Sequence, residues 1–334
     1  MAEVIHPRWR TVDKVIIQIP CYNEEQTLGM TLDALPRSLP HVKKVEILVI
    51  DDGSTDKTVE VARAHGADHI LVHHVNRGLA RAFMTGIEFC IRAKADIIVN
   101  TDADNQYCAE DIPRLIEPIL KREAEIVVGA RPIRSIPHFS PIKKFLQRLG
   151  SWVVRLASGT AIPDAPSGFR AFTREAAMRL NVFDSYTYTL ETIIQAGRKN
   201  MRITSVPVRV NPETRPSRLV RSIPQYLYRA IITIIRIFVT YRPFRFFFTI
   251  GILAGLIGLI PSIRFLYFYW IGEGGGHIQS LLFSVLMLGI SFGLVVLGLV
   301  ADLIAVNRML LEDLRWKLRE IEMTLQRVEK SGRS

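Results

Sequence analysis

Cysteine is scarce in this chain. Cys21, Cys90 and Cys108 are the only three in 334 residues. Their number is odd and their spacing wide, with no CxxC pair and no Cys/His metal spacing, which argues against a disulfide framework or a zinc site and fits a reducing cytosol. The N-terminal stretch MAEVIHPRWR has no apolar core, so no signal peptide is expected and this end should stay on the cytoplasmic side. No GxGxxG follows a strand-like run, and neither GxxxxGKS nor GxxxxGKT occurs. A dinucleotide-binding Rossmann enzyme and a Walker A NTPase are both disfavoured. Acidic residues are also few, 32 against 43 lysines and arginines, but the imbalance is local. Residues 1–200 carry 26 basic and 24 acidic side chains, whereas Arg202–Arg245 carries nine basic and one acidic, Glu213. The net charge of +11 therefore describes a stripe, and a nucleic-acid partner is not implied.

What the chain does have is long apolar runs. Phe246–Ile263 is 18 residues without a charge and Leu281–Ala301 is 21, each long enough to cross a hydrocarbon core of about 30 Å. Gly272–Ser280, which connects them, contains no Lys or Arg, while Arg242 and Arg245 precede the first run and Arg308 follows the second. The positive-inside rule then puts both ends in the cytoplasm and the short loop outside. Tyr267, Tyr269 and Trp270 would form the outer aromatic belt, with Arg264 snorkelling beside it. Ile223–Tyr241 mixes apolar residues with Arg229 and Arg236, as an amphipathic helix in the membrane interface does. Leu311, Leu314, Leu318, Ile321, Leu325 and Val328 follow a 3-4-3-4-3 spacing. That pattern suits either a short oligomerisation seam, through which copies of the chain could form a homo-oligomer, or an amphipathic helix packed on its own domain.

The first two-thirds alternates strand-like and helix-like stretches. Val15–Ile19, Val45–Ile50, Ile70–Val72, Ile97–Asn100 and Glu125–Val128 read as strands; Glu24–Leu35, Asp56–Ala64, Leu79–Arg92 and Ala109–Lys121 read as helices. The alternation predicts an α/β fold with a mostly parallel sheet, whose ligands bind beyond the carboxyl ends of the strands. Pro20-Cys21-Tyr22-Asn23-Glu24, Asp51-Asp52-Gly53-Ser54 and Asp102-Ala103-Asp104 lie at such ends. Carboxylates at i and i+2 past a strand can both turn onto one hard divalent cation such as Mg²⁺ or Mn²⁺. A solvated acidic turn explains a lone DxD equally well, and Asp52-Gly53-Ser54 could be a plain turn and helix cap.

Taken together, PCYNEE at 20–25, DDGSTD at 51–56, NRGLARAFMTG at 76–86, DADNQ at 102–106, VVGAR at 127–131 and SGFRAF at 167–172 resemble the family-two inverting glycosyltransferases of GT-A fold. The resemblance spans about residues 14–220 and is to the branch that makes polyprenyl- and dolichyl-phosphate sugars, which also carries a membrane hairpin. It implies a GT-A Rossmann-like sheet followed by an interfacial amphipathic helix and a two-helix transmembrane hairpin. The expected organisation is a cytoplasmic catalytic domain (1–220), a juxtamembrane helix (221–243), the hairpin (244–306) and a C-terminal cytoplasmic helix (307–334) in a multi-pass cytoplasmic-membrane protein. The implied reaction moves a hexose from a UDP- or GDP-sugar to polyprenyl phosphate, with inversion and with Mg²⁺ or Mn²⁺.

By the same resemblance, Pro20, Tyr22, Glu24, Asp51 and Asp52 would hold the base and ribose, and Asn76, Arg77 and Gly78 would line the nucleotide pocket. Asp102, Asp104 and Gln106 would hold the metal, with Ala103 between them in the substrate site. Ser167 and Gly168 would offer backbone donors to phosphate, and Arg131, Arg170, Arg215 and Arg218 would clamp the two phosphate groups. Asp164 and Glu191 match acidic family positions. Arg215-Pro216-Ser217-Arg218 stands where the family has a basic-x-Ser-basic loop, with Pro216 in place of a frequent glycine. A processive polysaccharide synthase of the same superfamily needs more spans and a Gln-x-x-Arg-Trp motif; no glutamine precedes Arg315-Trp316 by three residues. An inactive scaffold would be expected to lose the DxD that is present here.

Overall fold

The computed structural model describes residues 9–132, 141–180, 182, 188–212, 232 and 235–331. It forms two compact units, Met1–Ala230 and Ile231–Ser334. In the first unit, β1 (Val12–Cys21), β2 (Val42–Asp51), β3 (His69–Val72), β4 (Ile97–Asn100), β5 (Ile126–Ala130), β6 (Arg170–Thr173) and β7 (Ile203–Pro207) make one seven-stranded sheet in the order β3-β2-β1-β4-β6-β5-β7. All the strands run parallel except β6, which is antiparallel to both β4 and β5. The near-continuous apolar runs of β1, β2 and β4 follow from burial on both faces, and Ile16, Ile17, Ile47, Leu48, Ile98 and Val99 have no exposed surface beyond rounding.

Helices α1 (Leu28–Ala34), α2 (Thr58–Ala64), α3 (Leu79–Arg92), α4 (Ile112–Leu120), α5 (Pro141–Ser158), α6 (Arg174–Arg179) and α7 (Tyr188–Arg198) connect the strands. Helix α3 buries Ala80, Phe83, Met84, Ile87 and Ile91, and α4 buries Ile112, Leu115, Ile116 and Ile119. Both are the i, i+3, i+4, i+7 pattern of one apolar stripe. The stretch read as a helix from Glu24 starts only at Leu28. The backbone N–H groups of Asn23, Glu24 and Glu25 are drawn instead to Ser54 Oγ, Thr58 Oγ1 and Asp56 Oδ2 across the neighbouring loop.

The second unit is a helical hairpin, α8 (Pro243–Trp270) and α9 (Ile278–Ser331), joined through a short 3₁₀ turn at Gly274–His277. Stretches of 28 and 38 residues there each hold an 18-residue window of mean hydropathy 2.2 and 2.5, long and apolar enough to cross a membrane. The two helices pack through glycine. A Cβ on Gly258 would stand 2.8 Å from Met287 Cβ, and one on Gly255 would stand 2.9 Å from Ser291 Oγ. Gly251 and Gly255 form a GxxxG step, the spacing that lets apolar helices approach closely where the hydrophobic effect gives no help. Their outer faces are exposed hydrocarbon, with Leu253, Ile260, Leu282, Phe292 and Leu303 each more than half exposed. Only residue 232 and residues 235–242 of the expected interfacial helix are described, and 235–241 are helical.

Candidate active site

The two loops that leave β1 and β2 are zipped together. Asn23, in the left-handed region at φ 55°, accepts from Thr55 N at 2.8 Å while its own N–H reaches Ser54 Oγ. Asp52 N donates to Cys21 O. A Cβ on Gly53, itself at φ +76°, would press to 2.7 Å from the Val75 carbonyl carbon, so the β3–α3 loop lies directly on this turn. Tyr22 remains 42% exposed at the edge of the zipped loops, enough for a ring to offer a stacking face. Glu24 Oε2 accepts from Thr27 Oγ1.

Several residues expected to touch nucleotide or phosphate have other work. Pro20 is buried within β1. Asp51 is 1% exposed and accepts from Ser54 N. Asp52 accepts from Arg77 N (3.0 Å), Gly78 N (2.8 Å) and His73 Nδ1 (2.7 Å), and His73 Nε2 is 3.0 Å from Thr85 Oγ1. Its carboxylate thus anchors the Asn76–Gly78 loop. The Arg77 guanidinium, by contrast, is exposed. Ser167 directs its N–H to Asp164 O and its hydroxyl to Tyr107 Oη. Gly168 N likewise donates to Tyr107 Oη at 2.9 Å, so neither backbone donor is left for phosphate.

Arg170 lies inside the protein. It has no solvent exposure, and its Nε and Nη2 donate to the carbonyls of Ser167 and Ala165, with Nη1 on Thr192 Oγ1. Burial brings its pKa down to about 10, which leaves it charged at neutral pH. The buried cation ties the Ala165–Ser167 loop to α7. Its position in a strand flanked by Phe169, Ala171 and Phe172 is the signal that it faces inward.

Asp102 and Asp104 stand at the carboxyl end of β4, on a turn whose Asn105 is at φ 56°. Gln106 N donates to Asp104 Oδ1, and Asn211 closes the turn through Asn105 O and the Gln106 carbonyl. Ala103 is buried and its carbonyl accepts from Thr31 Oγ1. Asp102 accepts no hydrogen bond from a described residue. Its carboxylate lies against Gly168, where a Cβ would meet Asp102 Oδ1 at 2.7 Å and Tyr188 Oη at 2.9 Å. Desolvation, then the charge of Asp104, pushes the Asp102 carboxyl up to about 7. Two carboxylates that resist joint ionisation, one without a donor, suit a divalent cation. No group of three or more His, Cys, Asp or Glu able to hold a metal occurs among the described residues.

The sequence reading missed the support beneath this pair. Gln18 Nε2 donates to Asn100 Oδ1 (2.9 Å), and Asn100 Nδ2 donates to Gly168 O (2.8 Å) and Tyr188 Oη (3.0 Å). Tyr107 stacks on Phe169 and Tyr188 on Phe83. A glutamine and an asparagine inside β-branched runs were the available signal, because a fully buried amide in a strand needs a partner. Gly168→Ala should displace the Asp102 carboxylate and overpack this network, costing about 1–3 kcal/mol. Thermal denaturation together with a transfer assay checks it, with both stability and rate expected to fall.

Arg131, just past β5, completes the described site. Its Nε and Nη2 make a fork onto Asp164 (2.7 and 3.0 Å), and its backbone N–H reaches the same carboxylate at 3.1 Å. The guanidinium also lies 5.9 Å from the centre of the Tyr107 ring. Its side chain keeps 11% exposure against 1% for Asp164, so the arginine retains some access to solvent while the acid is enclosed. Glu191 is buried on α7. Arg215 and Arg218 lie outside the described residues, as does the loop that contains them.

A sheet whose one reversed strand lies beside β4, with an acidic pair at the end of β4, defines a glycosyltransferase of GT-A fold. Residues 16–180 match the model of Glycosyl transferase family 2, and the chain belongs to that family. It is 30% identical over 205 residues to an undecaprenyl-phosphate mannosyltransferase of Micrococcus luteus, covering 58% of this chain and 82% of that one. It is 30% identical over 220 residues to a UDP-N-acetylglucosamine–dolichyl-phosphate N-acetylglucosaminyltransferase of Methanococcus voltae, covering 59% and 86%. Among solved structures, glucosyl-3-phosphoglycerate synthase of Mycobacterium tuberculosis, in complex with Mn²⁺, UDP and glucosyl-3-phosphoglycerate, shares the fold. The TM-score is 0.52 and the identity 20%, over 66% of this chain and 80% of that one.

Proposed function

We propose that this glycosyltransferase moves a hexose from a UDP- or GDP-sugar to polyprenyl phosphate at the cytoplasmic face of a membrane, with inversion at the anomeric carbon. The observation that carries this reading is the Asp102–Asp104 pair, whose Asp102 feels the charge of the fork-held Arg131, in a chain that also presents two exposed apolar helices. Relatives named as transferases to undecaprenyl and dolichyl phosphate support the acceptor class. Mg²⁺ or Mn²⁺ held by Asp102 and Asp104, with Gln106 beside them, would neutralise charge on the departing nucleoside diphosphate.

The chain's own residues do the rest. The zipped loops with Tyr22 and Glu24, and the Asp52-anchored Asn76–Gly78 loop, would hold the nucleoside. Arg131 would meet a phosphate as charge develops. Arg215 stands four positions after Asn211, a span of at most about 14 Å, and with Arg218 it would meet the second phosphate. Anchoring in the bilayer replaces a search in solution with a search in two dimensions, which is a proximity term. The domain organisation expected from the sequence, with its catalytic part ending near residue 220, is retained as part of this proposal.

The test is a transfer assay with purified protein, polyprenyl phosphate and a panel of labelled UDP- and GDP-sugars. Formation of a lipid-phosphate sugar is expected from one donor or a few; no product with any donor in the presence of Mg²⁺ and Mn²⁺ overturns the reading. Orientation has its own test. Gly275 has open space around a Cβ, so Gly275→Cys in a Cys108→Ser background should react with an impermeant thiol reagent from outside intact cells. Labelling only after lysis means the hairpin is inverted or does not span.

A further inference from the structure

Helix α5 buries Ser151, Val153, Val154, Ala157 and Ser158 and turns the opposite face outward. That outward face holds Arg148, Trp152, Arg155 and Leu156, spaced i, i+4, i+7 and i+8 and so on one side of the helix. Trp152 is 53% exposed and Leu156 46%, unusual for a tryptophan and a leucine side by side on a soluble surface. Arg148 and Arg155 are both exposed, and neither has an ion-pair partner among the described residues. The 18 residues of α5 include four bases and no acid. The helix follows β5, whose last residue precedes Arg131, so this face belongs to the excursion between Arg131 and Asp164.

We infer that the outer face of α5 is a lipid-docking surface that rests on the headgroup layer of an anionic bilayer, giving the catalytic unit a membrane contact of its own. The inference rests on the membrane reading above. Its chemistry is that of interfacial helices: an indole and a leucine enter the headgroup–acyl boundary while unpaired arginines meet lipid phosphates. A protein surface would have to supply acids to two separate arginines around an apolar pair. A bilayer of anionic lipid supplies phosphates at every position, and this charge complementarity decides for lipid.

The experiment uses the full chain in nanodiscs of mixed phosphatidylglycerol and phosphatidylcholine. Trp9, Trp270 and Trp316 are replaced by Phe so that Trp152 is the only indole; a companion protein keeps only Trp270, at the end of α8. Lipids brominated near the top of the acyl chain should quench Trp152, and the quenching should fall in high salt or with Arg148→Glu/Arg155→Glu, since each arginine near an anionic surface contributes about fivefold in partitioning. Quenching of Trp270 without quenching of Trp152 overturns the inference and leaves the membrane reading standing. If neither indole is quenched, the membrane reading fails and this inference with it. Quenching of Trp152 that is indifferent to salt and to the arginine reversals overturns the electrostatic part, because the anionic surface is then not what holds the helix.

Discussion

Asp104→Asn should lower sugar transfer by on the order of 10²-fold or more, the loss seen when a main stabiliser of developing charge is removed. Asparagine is the informative replacement. Its side-chain oxygen can still accept from Gln106 N, which reaches Asp104 Oδ1 at 3.1 Å, so the turn survives while the charge goes. Asp104→Ala removes both and should cost at least as much. EDTA should abolish the wild-type activity, and Mg²⁺ or Mn²⁺ should restore it. Two readouts separate metal from fold. Thermal denaturation of Asp104→Asn should match wild type to within about 1 kcal/mol, as for substitutions that disturb no core contact. Titration of Mn²⁺ in the presence of UDP should show weakened binding. Wild-type turnover in EDTA, or an Asp104→Asn enzyme as fast as wild type, sinks the metal reading.

Much of the frame around this pair was legible in the sequence, for reasons tied to particular elements. Strand β4 and helix α3 have the bounds their patterns predict, since each is bracketed by turn residues and buries an unmistakable apolar face. Strand β6 was invisible as a strand. Arg170-Ala171-Phe172-Thr173 lacks the β-branched apolar run that marks β4, and direction within a sheet leaves no trace in hydropathy, so the one antiparallel strand could not be seen. Strand β7 is half-exposed throughout and carries no alternation to read. Motif residues were found, but their division of labour was not. Asp52 and Asp102 are both acids after strands, yet one faces three N–H groups and the other none from a described residue. Only the fold tells an anchor from a free acceptor. Arg170 makes the same point for cations: a guanidinium that reaches two carbonyls and a threonine holds a loop, while one that forks onto an acid with part of its surface exposed can meet substrate.

That distinction governs how the acceptor should be activated. A hydroxyl nucleophile must lose a proton as it attacks, so an enzyme using one needs a placed carboxylate. A phosphate monoester has a second pKa of about 6 and is mostly dianionic at neutral pH; it needs alignment and charge stabilisation instead. Polyprenyl phosphate should therefore be glycosylated and bare polyprenol should not. Arg131→Ala should lose on the order of 10²-fold in turnover. Arg131→Lys should recover little, because one ammonium cannot replace the fork of Nε and Nη2 on Asp164. Arg218→Ala should also cost more than Glu191→Gln. Asp164→Asn is the delicate variant. Asp164 holds Arg131 through three hydrogen bonds, so loosening it should misplace the arginine. Its effect should be strongly non-additive with Arg131→Ala in a double-mutant cycle, since both act on one unit. A true base would behave differently: its neutralisation would cost nearly all activity whether or not Arg131 is present, and the pH–rate profile would lose its acidic limb. If Glu191→Gln or Asp164→Asn gives that result while Arg131→Ala stays active, the acceptor is an alcohol and the phosphate reading is wrong.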